Sequence, residues 1–326
     1  MRNPNAPKRV LIITDVHDTH IPFVSAHLST PSVVIDPREL LAGKELSYRS
    51  SSDAIKVSYD NESLDDVAGV WYRKPQRPKL SEVPVPAGLQ EYSQTALNRH
   101  FNLLLTAFDK ANWVSDYYAI TRANNKPWQL ALANRVGFRV PDTLFTSSQT
   151  MAQEFLKGHP RSVTKPLSPK YPKINGKQQV FLTTLIDHEF TPDLRGLPLA
   201  PAIFQEAIDV DHEVRAIVVG EQVFAAIVQS NTPDAKNADR IRDSRFGHYE
   251  GTVQITAAKD FPADIARMCI AHTKALGLHF GAVDLIRDKK GLWWFLENNP
   301  NGQWAYVEKA TGQQIGAALA NLLTKQ

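Results

Sequence analysis

Two short stretches toward the carboxyl-terminal end carry oxygen ligands inside apolar runs. They are Gly281-Ala282-Val283-Asp284-Leu285-Ile286 and Phe295-Leu296-Glu297-Asn298-Asn299-Pro300. A charge within an apolar strand is costly unless something compensates it. Strand side chains alternate between faces, so Glu297 and Asn299 share one. Asp288-Lys289-Lys290-Gly291 lies between the two runs as a hairpin turn. Pairing then sets Asp284 opposite Glu297 or one diagonal step away, and either register puts all three side chains on one face. Adjacent carboxylates repel unless a cation lies between them. An Asp, Glu and Asn oxygen set suits Mg2+, with phosphate oxygens and water completing the shell. The competing reading is the polar outer face of an ordinary hairpin, and spacing alone leaves both open.

Three further features point toward a phosphorylated ligand. Ser162-Val163-Thr164 reads as a buried strand that ends in Lys165-Pro166, and a lysine there can aim its ammonium at phosphate. Phe204-Gln205-Glu206-Ala207-Ile208 sets a carboxylate among apolar residues just before a hairpin, and Glu213 follows Glu206 by seven residues. Arg215 stands two residues beyond Glu213 and so on the same strand face, within reach of a phosphate or of a salt bridge to Glu213 or Asp211.

The elements that must hold these residues follow from patterning. Val10–Ile13, Ser32–Asp36, Ala54–Tyr59 and Ala68–Tyr72 read as strands, with a short helix at Ile21–Leu28 between the first two, which predicts an α/β region. Prolines 75, 78, 84 and 86 interrupt the chain before a helix over Gln90–Phe108. Asn125-Lys126-Pro127 opens a helix that Gly137 ends. Another helix is expected over Ser148–Leu156, and a Pro- and Lys-rich loop over Pro166–Lys177. Val214–Val219 and Val223–Val228 form a hairpin about Gly220-Glu221-Gln222. Helices at Ala263–Leu276 and Ile315–Leu323 complete the carboxyl-terminal part, which reads as α+β. Units at 1–115, 116–203 and 204–326 are expected.

Composition removes several function classes. The 326 residues carry 37 Lys and Arg against 34 Asp and Glu, a net +3, too little for a protein that coats nucleic acid. Arg240, Arg242 and Arg245 are interleaved with aspartates, which makes a poor phosphate track and reads as a solvated loop or a carboxylate clamp. The single cysteine, Cys269, excludes a disulfide framework and reads as core. His17-Asp18-Thr19-His20 lacks metal-ligand spacing, and no Gly-x-x-x-x-Gly-Lys-Ser/Thr loop is present. No apolar run reaches about 18 residues, and Met1–Arg9 has no apolar signal core. No membrane association and a cytoplasmic protein are expected.

Taken in order, Lys165-Pro166, Glu206, Glu213, Asp284 and Glu297-x-Asn299 resemble the ATP-grasp superfamily over roughly residues 115–326. Lys126 matches that family's first nucleotide-contacting lysine. The resemblance implies an ATP-grasp fold behind an amino-terminal α/β pre-ATP-grasp domain, with ATP and Mg2+ as cofactors. It implies adenine contacts from Gln205, Glu206, Ala207 and Ile208, ribose contacts from Glu213, a nucleotide contact from Lys126, phosphate contacts from Lys165, and metal contacts from Asp284, Glu297 and Asn299. Arg215 and Lys165 are the expected catalytic cations. Val70-Trp71-Tyr72-Arg73-Lys74-Pro75 and Glu297-Asn298-Asn299-Pro300-Asn301-Gly302-Gln303-Trp304 are similar to segments of the microviridin-type peptide maturases, the graspetide synthetases. That likeness implies a ligase that activates side-chain carboxylates of a ribosomal precursor peptide as acyl phosphates and closes macrolactone or macrolactam rings. A leader-bearing peptide and a homodimer are implied as partners. Asp187–Pro201 is the expected leader-docking stretch. Trp71 and Trp304 also suit a core. The phosphate lid is a departure: Leu167–Gln179 has one glycine and three lysines where small residues are usual. A ligase that joins a free amino acid or small carboxylate to an amine, and a non-catalytic nucleotide-binding partner, are the alternatives.

Overall fold

A computed structural model describes residues 8–52, 55–167, 173–174, 177–178, 183–190, 192–230 and 253–325. The chain opens with β1 (Arg9–Ile13), α1 (Ile21–Ser25) and β2 (Ser32–Ile35). A small antiparallel sheet of β3 (Leu46–Ser50), β4 (Ile55–Tyr59) and β5 (Glu62–Ser63) follows, then β6 (Val67–Tyr72). After α2 (Gln90–Asn102), β7 (Asn112–Val114) completes a parallel sheet of order β2-β1-β6-β7. The helix expected to run to Phe108 stops at Asn102 and tightens into a 3-10 turn, Leu103–Thr106, that buries Leu104 and Leu105.

Next come α3 (Tyr117–Ala123) and α4 (Lys126–Arg135), the latter capped by the Asn125 side chain on the Trp128 N–H. β8 (Thr143–Thr146), α5 (Gln149–Gly158), β9 (Ser162–Pro166), the short pair β10 (Lys173–Ile174) and β11 (Lys177–Gln178), β12 (Thr184–Ile186) and β13 (Ala202–Glu206) form the middle of the chain. Its sheet runs β12-β9-β13-β8, all antiparallel. Most of the lysine-rich lid stretch and all of Arg240, Arg242 and Arg245 lie outside the described residues.

The last part is a five-stranded antiparallel sheet ordered β16-β15-β14-β17-β18, with β14 (Val210–Val219), β15 (Gln222–Ser230), β16 (Val253–Ala257), β17 (Phe280–Asp288) and β18 (Trp293–Asn299). α6 (Ala263–Ala275) packs on one face with Val214, Ala216, Val283 and Leu285, and buries Cys269 as expected. On the other face Ile217, Val219, Phe280 and Ala282 meet α7 (Ala305–Thr311) and α8 (Ile315–Thr324). The amino-terminal parallel sheet closes the same core with Val10, Ile12 and Trp71. The closing helices are therefore shared between the first sheet and the last. Gly69 makes this possible: a Cβ there would come within 2.2 Å of the Leu323 carbonyl oxygen in α8.

Candidate active site

The face of the carboxyl-terminal sheet that is apolar under α7 and α8 becomes charged further along. Alternation along β14 puts Glu213 and Arg215 on the face of Ile217 and Val219. Arg215 lies directly across from Asp284, and Asp284 directly across from Glu297. Asn299 lies across from Ala282, one step along the same face. A register shift follows: Leu285 faces Phe295, so Leu296 is an extra residue of β18 and the strand bulges beside Glu297.

Two cations already answer the two carboxylates. Arg215 Nη1 donates to both Asp284 oxygens, at 2.6 and 2.7 Å. The Lys126 ammonium pairs with Glu297. Burial raises the Asp284 carboxyl against the pull of Arg215, and the Glu297 charge adds to the rise. Burial acts upward on Glu297 as well, but the charge and hydrogen bond of Lys126, with Lys165 and Arg215 behind them, hold it below the usual carboxylate range. The Arg215 partner is thus Asp284, in place of the Glu213 or Asp211 pair weighed from the sequence, and Asp211 instead takes Arg287 at 2.7 Å. Arg215 Nε is shielded from solvent and makes no hydrogen bond among the described residues. Two carboxylates and one amide oxygen on one face fit a hard divalent cation. The third donor is an amide, and among the described residues no three His, Cys, Asp or Glu side chains cluster as a metal site.

β18 is an edge strand, and its outer backbone groups are covered rather than left open. The Gln129 side chain of α4 donates to the Asn298 carbonyl at 2.9 Å and accepts from the Asn298 N–H at 2.8 Å. The Asn298 side chain points to the opposite face from the carboxylates, donating to Thr273 Oγ1 at 3.0 Å. His272 Nε2 donates to the Gln129 carbonyl at 3.0 Å. Gly281 leaves room for this network, since a Cβ would meet Asn298 Oδ1 at 2.3 Å. Helix α4 is bolted to the strand by Gln129, and its first residue is the Lys126 that pairs with Glu297. Gln129, His272 and Asn298 were not singled out from the sequence, where nothing distinguishes them from ordinary helix and strand residues.

The middle sheet brings in the other lysine. Lys165 lies across from Ile203 on β13, and its Nζ donates to Gln205 Oε1 at 2.7 Å. Gln205 is buried and in turn donates to Thr143 Oγ1 at 2.8 Å. The Gln205 side chain is therefore a strut for Lys165. Lys165 bears electrostatically on Glu297, so cations from α4, β9 and β14 converge on one carboxylate pair. At the end of β13, the Glu206 and Ala207 N–H groups donate to the Asp142 and Arg161 carbonyls, at 2.9 and 3.1 Å, which fixes the main chain leading to Ile208. Glu206 also borders an open groove of about 700 Å³ lined by Leu130, Phe138, Thr143 and Trp294. Tyr306, at the start of α7, sits in the field of Arg215, Asp284 and Glu213, and burial raises its phenol.

The two tryptophan-bearing segments, far apart in sequence, meet. Trp71 and Trp304 are both buried in the core under α7 and α8. Arg73 reaches the Asn301–Gln303 loop just beyond Asn299, and the His17–His20 stretch supplies its partners. The described residues of the segment Asp187–Pro201 form no helix or strand, but Phe190, Leu194 and Leu197 pack on the middle core, while Leu199 is 94% exposed. Asp193 pairs with Arg195 at 2.6 Å, and the Asp187 side chain accepts from the Glu189 N–H at 3.0 Å.

Residues 123–323 match the model of the RimK-like ATP-grasp domain. The chain belongs to the RimK-like ATP-grasp family. Its fold is similar to that of a RiPP-associated ATP-grasp ligase of Chryseobacterium gregarium, solved in complex with ADP and a leader and core peptide. The TM-score is 0.85, over 97% of this chain and 96% of that one, at 22% identity. The macrocyclase MdnC of Microcystis aeruginosa MRC, bound with precursor peptide MdnA, is similar at a TM-score of 0.81 over 96% of this chain and 98% of its own, at 24% identity. A probable alpha-L-glutamate ligase of Haemophilus influenzae is 26% identical over 212 residues, 63% of this chain. The chain spans 64% of that relative's length, less than two thirds. Among the described residues no helix is long and apolar enough to cross a membrane.

Proposed function

We propose that this protein is an ATP-dependent ligase that activates side-chain carboxylates of a ribosomal precursor peptide and closes ester or amide rings within it. The observation that carries the ligase reading is the convergence of Lys126, Lys165 and Arg215 on the Asp284–Glu297 pair, with Asn299 on the same face. A carboxylate repels nucleophiles. Transfer of the γ-phosphoryl group of ATP to it neutralises the charge and creates a leaving group, and the protein contributes position and charge compensation. In this reading Lys126 and Lys165 hold phosphate oxygens, Glu213 accepts from the ribose hydroxyls, and the main chain around Glu206 to Ile208 reads the adenine edge, while Gln205, inside the sheet, acts through its side chain on Lys165. Arg215, with a free Nε, steadies the acyl phosphate while a hydroxyl or amine of the same peptide attacks the carbonyl carbon and expels phosphate. Asp284, Glu297 and Asn299 would hold Mg2+, which when bound would offset the charge of the phosphates. Lys126 and Arg215, now paired with the two carboxylates, would then turn to the phosphates.

The peptide reading is supported by the likeness to peptide-bound ligases over 96–97% of the chain, including the amino-terminal sheet. In it, residues 1–115 form the part specific to this branch, 116–203 the phosphate side and 204–326 the metal side. Asp187–Pro201, with its exposed Leu199, is the candidate leader-docking edge, and the enzyme acts as a cytoplasmic homodimer. A second reading, ligation of a free amino acid or small carboxylate to an amine, is favoured by the relatives named as glutamate ligases. Mass spectrometry separates the two. Incubation with ATP, Mg2+ and a precursor peptide carrying its leader is expected to remove one water per ring, with ADP release dependent on the peptide. An intermolecular amide with free glutamate, and no dehydrated peptide, would select the second reading instead.

A further inference from the structure

In a parallel sheet, ligands settle in the crevice outside the carboxyl ends of the strands, where the chain order reverses. Here the order β2-β1-β6-β7 reverses between β1 and β6. The residues that leave those two strands are Thr14–His20 and Arg73. The crevice between them holds a segment of the same chain, the Asn301–Trp304 loop that follows the proposed metal strand.

The contacts are dense and buried. Arg73 is 1% exposed and forms an ion pair through Nε with Asp18 at 2.8 Å. Its Nη1 donates to the Gly302 carbonyl at 3.2 Å and its Nη2 to Gln303 Oε1 at 2.9 Å. The Trp304 N–H donates to His20 Nε2 at 3.1 Å. His20 Nδ1 therefore carries the proton and donates to Asp18 at 2.7 Å, which is the neutral tautomer. Burial, opposed by Asp18 and reinforced by Arg73, lowers the His20 pKa in keeping with that. Asp18 also accepts from Thr14 Oγ1 at 2.9 Å. The Trp304 ring stacks edge-on against His20 at 5.0 Å.

The gripped loop touches the site on its other side. The Gln303 carbonyl accepts from Arg215 Nη2 at 3.3 Å. Asn299 Oδ1 accepts from the Asn301 N–H at 3.1 Å. A Cβ on Gly302 would meet Arg215 Nη2 at 2.8 Å and the Ala282 methyl at 2.3 Å, so the loop lies directly against Arg215 with no slack. A shift of the loop would move an oxygen donor and the catalytic arginine together.

We propose that Arg73, held by Asp18 and His20, is a positioning residue: it clamps the Asn301–Gln303 loop to the amino-terminal sheet and so sets the geometry of Asn299 and Arg215. The clamp rests on the ligase reading for its consequence in turnover, but the loop and metal-dependent binding can be read without any substrate peptide.

The test uses the full chain with Arg73→Lys, Arg73→Ala and Gln303→Ala. Lysine gathers its donors on one nitrogen and lacks the planar fork that spans Asp18, the Gly302 carbonyl and Gln303, so it is not expected to rescue. Hydrogen exchange across residues 301–304 should accelerate in both Arg73 variants while β14 and β17 keep their protection. ADP affinity without metal should stay within about twofold, and the gain that Mg2+ adds should fall about tenfold. With peptide and ATP, kcat should drop on the order of 100-fold, the cost of misplacing reacting groups by about 1 Å, with KM for ATP changed less than about threefold. A merely structural arginine would lower the melting temperature and leave the Mg2+ gain and the kcat-to-KM split of the folded protein unchanged. Gln303 is exposed and leaves no cavity, so Gln303→Ala decides the matter if the Arg73 variants do not fold: a kcat loss of about three- to tenfold at constant KM supports the clamp. Wild-type Mg2+ gain and wild-type exchange at 301–304 in Arg73→Lys, or in Gln303→Ala when only that variant folds, overturn it. Absence of peptide-dependent turnover in the wild type would remove the peptide reading while the Mg2+ gain still judged the clamp.

Discussion

Replacing Gln129 by methionine tests how the proposed metal strand is held. Gln129 is 3% exposed, and methionine keeps its length and volume, so no cavity opens. What disappears is one acceptor and two donations: the Asn298 N–H and C=O lose their partner, and so does the Ala123 carbonyl, which accepts from Gln129 Nε2 at 2.6 Å. All three groups are buried, and each costs roughly 1–2 kcal/mol when left unpaired, which puts the loss at about 3–6 kcal/mol. Urea unfolding followed by tryptophan fluorescence should show a lower midpoint with an unchanged slope, because the surface exposed on unfolding is the same. The folded fraction should also bind Mg2+·ADP more weakly, since α4 carries Lys126 to Glu297. Gln129→Glu should do no better, because a carboxylate cannot donate to two carbonyls. A loss below about 1 kcal/mol for Gln129→Met, with Mg2+·ADP affinity intact, would refute the idea that α4 seals this edge.

Acid should destabilise the protein through His272. Burial lowers its pKa from 6.5 to about 4, so between those values the unfolded chain binds a proton that the folded chain refuses, and stability falls as pH falls. The window amounts to roughly 3 kcal/mol, and melting curves of wild type against His272→Gln from pH 7 to 4 should converge as that contribution vanishes from the variant. Parallel curves would contradict the assignment. Gly281→Ala should cost about 1–3 kcal/mol through collision with Asn298, read as a lower melting midpoint; an unchanged midpoint means that Asn298 can yield. Glu297→Gln should keep the fold and remove most Mg2+-dependent ADP release in a coupled assay, and wild-type turnover in that variant would exclude Glu297 from the metal set. Lys165→Ala should raise KM for ATP, lower kcat, or both, and unchanged values would remove its phosphate role.

Local sequence determined which residues of each carboxyl-terminal strand share a side. Strand side chains repeat every two residues, so Glu297 and Asn299 share a side of their strand, whereas the face of Asp284 depends on the hairpin register, since a slip of one residue would turn it away from them. The bulge decides it: the pairing nearest the turn, Leu285 across from Phe295, would have set Asp284 across from Leu296, and the extra residue at Leu296 brings it across from Glu297 instead. The strand ending in Lys165 and the helix opening at Lys126 were legible for the same reason: short-range pattern and capping chemistry fix both. The partners of these residues were not legible. Arg215 chose Asp284, on a neighbouring strand, over the nearer Glu213 and Asp211, because direct cross-strand pairing outranks closeness in sequence. Lys126 and Glu297 are separated by 171 residues, and Gln129 and Asn298 by 169. Arg73 and Gly302 are 229 residues apart, and no periodicity links them. His20 and Asp18 gave no signal beyond their types, since what defines them is a crevice formed by two strands and filled by a third segment. Contacts of that kind exist only once the sheets are packed on the shared helices α7 and α8, which is why tertiary structure alone decided them.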